Sequence, residues 1–140
     1  MPILTSFILP QSHRGTEMKQ ENEITEKIIG CAIEVHRNLG PGLLESMYEK
    51  ALCHEFSECG INFESQKVVP IIYKSITLGE FRLDLLVEDQ IIVELKAVER
   101  NDPVFKAQLL SYMKLTGNTL GLLINFNVPL LKDGITRVIL

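Results

Sequence analysis

The chain is 140 residues long, 46% hydrophobic and 23% charged, and its 14 Lys+Arg against 18 Asp+Glu leave a formal charge of −4. That is the size and balance of one globular domain able to bury a core of its own. It has no basic tail or stripe of the kind that grips nucleic acid nonspecifically, and no apolar run of the ~18 residues that a membrane span needs.

"MPILTSFILP" is apolar but short, lacks a leading positive charge and contains Pro10, so it does not read as a signal peptide. Residues 1–20 are expected to be a loose extension ahead of a single domain over residues 21–140. Met18, which begins "MKQENEITEK", reads as a natural start. From Ile24 to Leu39 the apolar residues Ile24, Ile28, Cys31, Ala32, Val35 and Leu39 recur at three- and four-residue steps, one face of a helix. Asn22 or Thr25 could cap it, and Gly40-Pro41-Gly42 ends it. A second helix is expected from about Leu44 to Cys59, with Leu44, Met47, Tyr48, Ala51, Leu52 and Phe56 turned inward and Gly60 as its stop. Cys31, Cys53 and Cys59 are odd in number and show no C-x-x-C spacing. Reduced thiols and a cytoplasmic location are the expectation.

The middle of the chain reads as β-structure: Val68–Tyr73, about Leu78–Val87 and Gln90–Val98, with Glu88-Asp89 as the turn between the last two. "NDPVFKAQLLSYMKLTGN" is a third helix, with Asp102 as cap, Pro103 at the first position and Gly117 as stop. "TLGLLINF" is a buried strand and "ITRVIL" an edge strand. The order α-α-β-β-β-α-β-β predicts an α/β (α+β) domain with a mixed central sheet flanked by helices. The helix between the third and fourth strands implies a right-handed crossover and a parallel pair there.

Three charges break the apolar pattern of "FRLDLLVEDQIIVELKAV": Asp84, Glu94 and Lys96. A buried charge is costly unless it is paired or binds a metal. Glu94 and Lys96 are two apart and share a face of one strand. With a two-residue turn, Asp84 falls opposite Val93, and one residue of offset would bring it beside Glu94. Two carboxylates so close repel one another unless a divalent cation lies between them. A cross-strand salt bridge with Lys96 is the competing account. A glycosidase-type carboxylate pair fits poorly with a lysine two residues after Glu94. The third helix offers Gln108 and Tyr112 one turn apart on one face.

Asp84 followed by Glu94-Leu95-Lys96 reads D-x9-E-x-K, which resembles the signature of the PD-(D/E)XK nuclease superfamily. "GLLESMY" at Gly42–Tyr48 reads G-x-x-E-x-x-Y. With "GEFRLDLLVED", "VELKAV", "AQLLSYMKLTG" and "GLLINFNVPLLKDGI" it resembles, over about Glu23–Leu140, the GxxExxY proteins assigned to that superfamily. The resemblance implies a restriction-endonuclease-like core. It implies that Asp84 and Glu94 ligate one or two Mg²⁺ (or Mn²⁺) ions, with the main-chain carbonyl of Leu95 as a further ligand. Lys96 would position or activate the attacking water, Glu45 would be the acidic residue near the metal, and Gln108 the polar residue of the helix motif. The proline that often precedes the first Asp is replaced by Leu83. Tyr48, Tyr112, His36 and Arg82 are candidates for support. Tyr48 could equally be core, and His36 could equally be structural. The implied activity is metal-dependent hydrolysis of phosphodiester bonds, in DNA. The alternative is a catalytically silent module that keeps the fold for binding or regulation. So small a core would be expected to act as a homodimer or with a protein partner.

Overall fold

Ile28, Cys31, Ala32 and Val35 are all buried and form the inner stripe of the first helix, α1 (Gln11–Leu39). The computed structural model describes residues 11–140. After α1 come α2 (Glu45–Glu58), β1 (Phe63–Tyr73), β2 (Ile76–Val87), β3 (Ile91–Lys96), α3 (Pro103–Thr116), β4 (Leu120–Asn125), a 3₁₀ turn (Leu131–Gly134) and β5 (Ile135–Ile139).

The strands form one mixed sheet in the order β1-β2-β3-β4-β5. Only β3 and β4 run parallel, and α3 connects them, as the sequence order predicts. β4 is buried along its whole length, the pattern of a central strand covered on both faces. Pro70 lies on the edge strand β1, where its missing N–H removes no interior ladder bond. Two apolar layers hold the sheet. On one face α1 and α2 bury Ile28, Val35, Tyr48, Leu52 and Phe56 against Leu85, Val93, Leu95 and Ile124. On the other, Leu109 and Met113 of α3 pack on Leu83, Leu86, Ile92 and Leu123.

Helix α3 is capped as expected. The Asp102 side chain accepts from Val104 N at 2.9 Å, Pro103 opens the helix, and Gly117 closes it at φ 80°. Gly121 lets α3 lie close to the sheet: a Cβ there would sit 3.0 Å from Met113 Sδ and 3.1 Å from Leu109 Cδ1.

Several boundaries differ from the expectations. Helix α1 begins at Gln11, so residues 11–20 are helical rather than loose, while residues 1–10 lie outside the described residues. Its early turns are rich in Glu, Lys, Gln and Met, which favour helix without needing an apolar face. Asn22 and Thr25 therefore sit inside the helix and do not cap it. Asn22 instead accepts from Arg137 at 2.6 Å, and Thr25 is buried. Leu44, the N-cap of α2, and Met47, in its first turn, are expected inward but are exposed. β1 starts at Phe63 rather than Val68, because Ser65 and Lys67 pair with Leu85 and Leu83 despite their polarity. No helix of the described residues is long and apolar enough to cross a membrane.

Candidate active site

The ladder between β2 and β3 pairs Val87 with Ile91, Leu86 with Ile92 and Leu85 with Val93, then stops although both strands continue. The connecting loop holds three residues, Glu88, Asp89 and Gln90, so the register is offset by one from that of a two-residue turn. Glu88 and Asp89 both adopt left-handed φ, 53° and 56°. In this register the next pair would be Asp84 with Glu94. Each carboxylate there takes an N–H of the opposite strand: Asp84 N donates to Glu94 Oε2 at 2.8 Å, and Leu95 N donates to Asp84 Oδ2 at 2.9 Å. Leu83 and Leu85 belong to cores on opposite faces of the sheet, so the strict alternation of β2 breaks across Asp84. The parallel ladder to β4 continues past this point, through Glu94–Leu123 and Lys96–Asn125.

These carboxylates share one electrostatic field. Burial, then repulsion from Asp84, pushes Glu94 from its ordinary 4.5 up to about 8. Burial also raises Asp84, with Glu49 adding repulsion and the Leu95 N–H opposing it. Glu45, in the first turn of α2, is raised by burial and then by Asp84. Lys96 lowers all three, and Glu94 and Asp84 together help to raise the Tyr112 phenol after burial. Lys96 forms no ion pair with Asp84 or Glu94 among the described residues. Its Nζ stands 4.4 Å from the centre of the Phe105 ring, a cation–π contact. The cross-strand salt bridge is thus not the arrangement found.

Helix α3 forms one wall. Phe105 lies under Lys96, and Tyr112 stacks on Phe81 with ring centres 4.2 Å apart. Gln108, exposed, falls between them on the same helical stripe. The remaining candidates lie elsewhere. Tyr48 is fully buried, stacks on Phe126 at 4.5 Å, and its hydroxyl ties the Gly40–Leu43 turn by donating to Gly40 O and accepting from Leu43 N. His36 bonds the Val128 carbonyl at 2.8 Å, holding α1 to the segment after β4. Arg82 is exposed and makes no ion pair with Asp84.

Three residues join the site that the sequence reading passed over. Glu49 accepts from Ser65 Oγ at 2.8 Å and from Gln66 Nε2 at 2.9 and 3.1 Å. Gln66 stands on β1 at the level of Asp84, with φ 56°, and its amide also reaches Asp84 Oδ1 at 3.4 Å. With carboxylates on both sides, the amide nitrogen is the atom that must face them. Glu49 lies one turn beyond Glu45, a spacing visible in the sequence. Gln66 carries no such local signal, since its place depends on strand pairing. Asn125, buried opposite Lys96, accepts from Val98 N at 3.0 Å and donates to Val98 O at 2.9 Å, fixing the segment that leads to α3.

No group of three or more His, Cys, Asp or Glu is drawn together at metal-ligating spacing among the described residues. The donors are nonetheless of the right kind, hard carboxylate oxygens whose mutual repulsion a divalent cation relieves.

A family model of the PD-(D/E)XK nuclease superfamily matches residues 22–138. The chain belongs to that superfamily, and its five-stranded mixed sheet with flanking helices is consistent with a restriction-endonuclease-like fold. No curated protein and no solved structure matches it.

Proposed function

We propose that the protein is a metal-dependent nuclease that hydrolyses phosphodiester bonds in DNA, with the site at Asp84, Glu94 and Lys96. The observation that supports this best is the end of the β2–β3 ladder. There the half-buried Asp84 and the buried Glu94 carboxyls stand beside each other, and neither forms an ion pair with Lys or Arg among the described residues. Asp84, Glu94 and the Leu95 carbonyl would hold Mg²⁺ or Mn²⁺, with Glu45 beside them. A bound divalent cation would supply Lewis acidity toward a phosphate oxygen and toward water. The chain's own groups do the rest. The two backbone N–H bonds fix the carboxylate orientations, and the parallel ladder to β4 holds Glu94 and Lys96 rigidly. Lys96, held over Phe105 rather than spent on an ion pair, keeps its charge for the phosphate oxygens on which charge develops. Glu45, whose carboxyl is raised by burial and then by Asp84, stands where it could accept or return a proton. Gln108 and Tyr112 present hydrogen-bonding groups from α3 for orienting a phosphate. The "GLLESMY" stretch supports reading the chain as one of the GxxExxY proteins within the superfamily.

The second reading is a silent module that binds without cutting. It is favoured by the backbone N–H groups that already occupy one oxygen each of Asp84 and Glu94. Cleavage of single-stranded, duplex and branched DNA and RNA, with Mg²⁺ or Mn²⁺ and with EDTA, separates the two. The nuclease reading expects metal-dependent cutting that Lys96→Ala and Glu94→Gln abolish. Equal residual activity in wild type and both variants would leave the silent module.

A further inference from the structure

On the side of α1 and α2 two thiols meet. Cys31 Sγ, on α1, donates to Cys59 Sγ, at the C-terminal cap of α2, at 3.9 Å. Cys31 is 6% exposed while Cys59 is open to solvent, and both are free. They line one groove with Lys27, Gly30, Glu34, Glu55 and Ile61. Nothing in the proposed phosphodiester chemistry uses either sulfur. No C-x-x-C spacing marks the pair, because the two are 28 residues apart and come together only when α1 packs on α2.

We infer that Cys31 and Cys59 form a thiol–disulfide exchange site that takes a small-molecule disulfide such as oxidised glutathione and closes into an intramolecular bridge. The geometry assigns the order of steps. Cys59, the accessible thiol, attacks as thiolate on one sulfur of oxidised glutathione. The glutathione S–S bond breaks, one glutathione thiolate leaves, and a Cys59–glutathione mixed disulfide forms. Cys31 then loses its proton and attacks Cys59 Sγ, and the second glutathione thiolate leaves. The protein has given up two protons and two electrons, and the small disulfide has become two thiols. Burial, first, and the neighbouring Cys59 push Cys31 up to about 12, which makes it the second and slower nucleophile. Gly60, which follows at φ 71°, ends α2 at the bridge position. The bridge fastens α2, the helix that carries Glu45 and Glu49, to α1.

The full chain, reduced and then exposed to excess oxidised glutathione, is followed by intact mass, peptide mapping and thermal melting. Wild type should lose about 2 Da, carry no adduct, yield a Cys31–Cys59 cross-linked peptide, melt higher than before, and revert with dithiothreitol. Cys31→Ser should stop at one glutathione adduct on Cys59, and Cys59→Ser should leave Cys31 unmodified. A wild-type product that retains glutathione on Cys59, a bridge to Cys53, or no reaction would overturn the inference. Because none of these measurements reads cleavage, they stand or fall separately from the nuclease reading.

Discussion

Replacing Glu94 with glutamine tests the electrostatics of the site without touching its packing. Glu94 is 7% exposed, and burial together with Asp84 raises it from 4.5 to about 8. A carboxyl raised on folding gives stability that is fully present below its unfolded value and is lost as pH climbs through the folded one. In metal-free wild type, stability should therefore fall between about pH 5 and pH 8. A single proton difference is worth about 1.4 kcal/mol per pH unit. Sharing of the charge with Asp84 and Glu45 reduces this to about 1 kcal/mol per unit, or about 2–3 kcal/mol across the range. At about 3 °C per kcal/mol for a domain of this size, Tm should drop by about 6–9 °C. Glu94→Gln keeps an oxygen for the Asp84 N–H and offers an N–H to Asp84 in return, while removing the like charge. Its Tm should be nearly flat over the same range and exceed that of wild type at pH 8. Melts in EDTA at half-unit intervals decide the matter. A wild-type Tm that is level or rises from pH 5 to 8, or a variant that runs parallel to wild type, would refute the reasoning.

Saturating Mn²⁺ should raise the Tm of wild type, about 2.7 kcal/mol of stabilisation at a hundredfold excess over Kd, and should leave Asp84→Asn unmoved. A metal-induced rise in Asp84→Asn would place the cation elsewhere. In the β1–β2 turn Lys74 and Ser75 adopt φ 45° and 72°, the left-handed pair of a two-residue hairpin that favours Asn-Gly. Lys74→Asn with Ser75→Gly should stabilise the protein by about 1 kcal/mol in urea titrations. A Cβ on Gly134 would lie 2.1 Å from the Asn125 carbonyl oxygen. Gly134→Ala should therefore cost about 1–3 kcal/mol in the same assay and weaken the Asn125 clamp on Val98.

The element order and the parallel β3–β4 pair were legible because each rests on local pattern and on the geometry of crossovers. The cap of α3 was legible too, since Asp102, Pro103 and Gly117 act on their own neighbours. The start of α1 was not, because helix formers without an apolar stripe leave no periodic signal. At the site, the closeness of Asp84 and Glu94 was foreseen only as conditional on one residue of offset, and the three-residue loop supplies it. For Tyr48 the sequence leaves both core and support open, since it lies three residues after Glu45 on α2. The helix lies against the sheet so that Tyr48 enters the core while Glu45 stays at its rim. Gln66 could not be found from local sequence, since its contacts span 17 and 18 residues and depend on a strand register.

The loop of Glu88, Asp89 and Gln90 also behaves as a gauge of length. It sits at the far end of the ladder from the carboxylates and touches none of them, yet its residue count decides what faces Asp84. Removing one residue would slide Asp84 from Glu94 to Val93, and the reciprocal bonds to Asp84 N and Leu95 N would have no partners in register. Substitutions in the loop should be forgiven while single-residue deletions should not. The site is thereby protected by arithmetic as much as by chemistry.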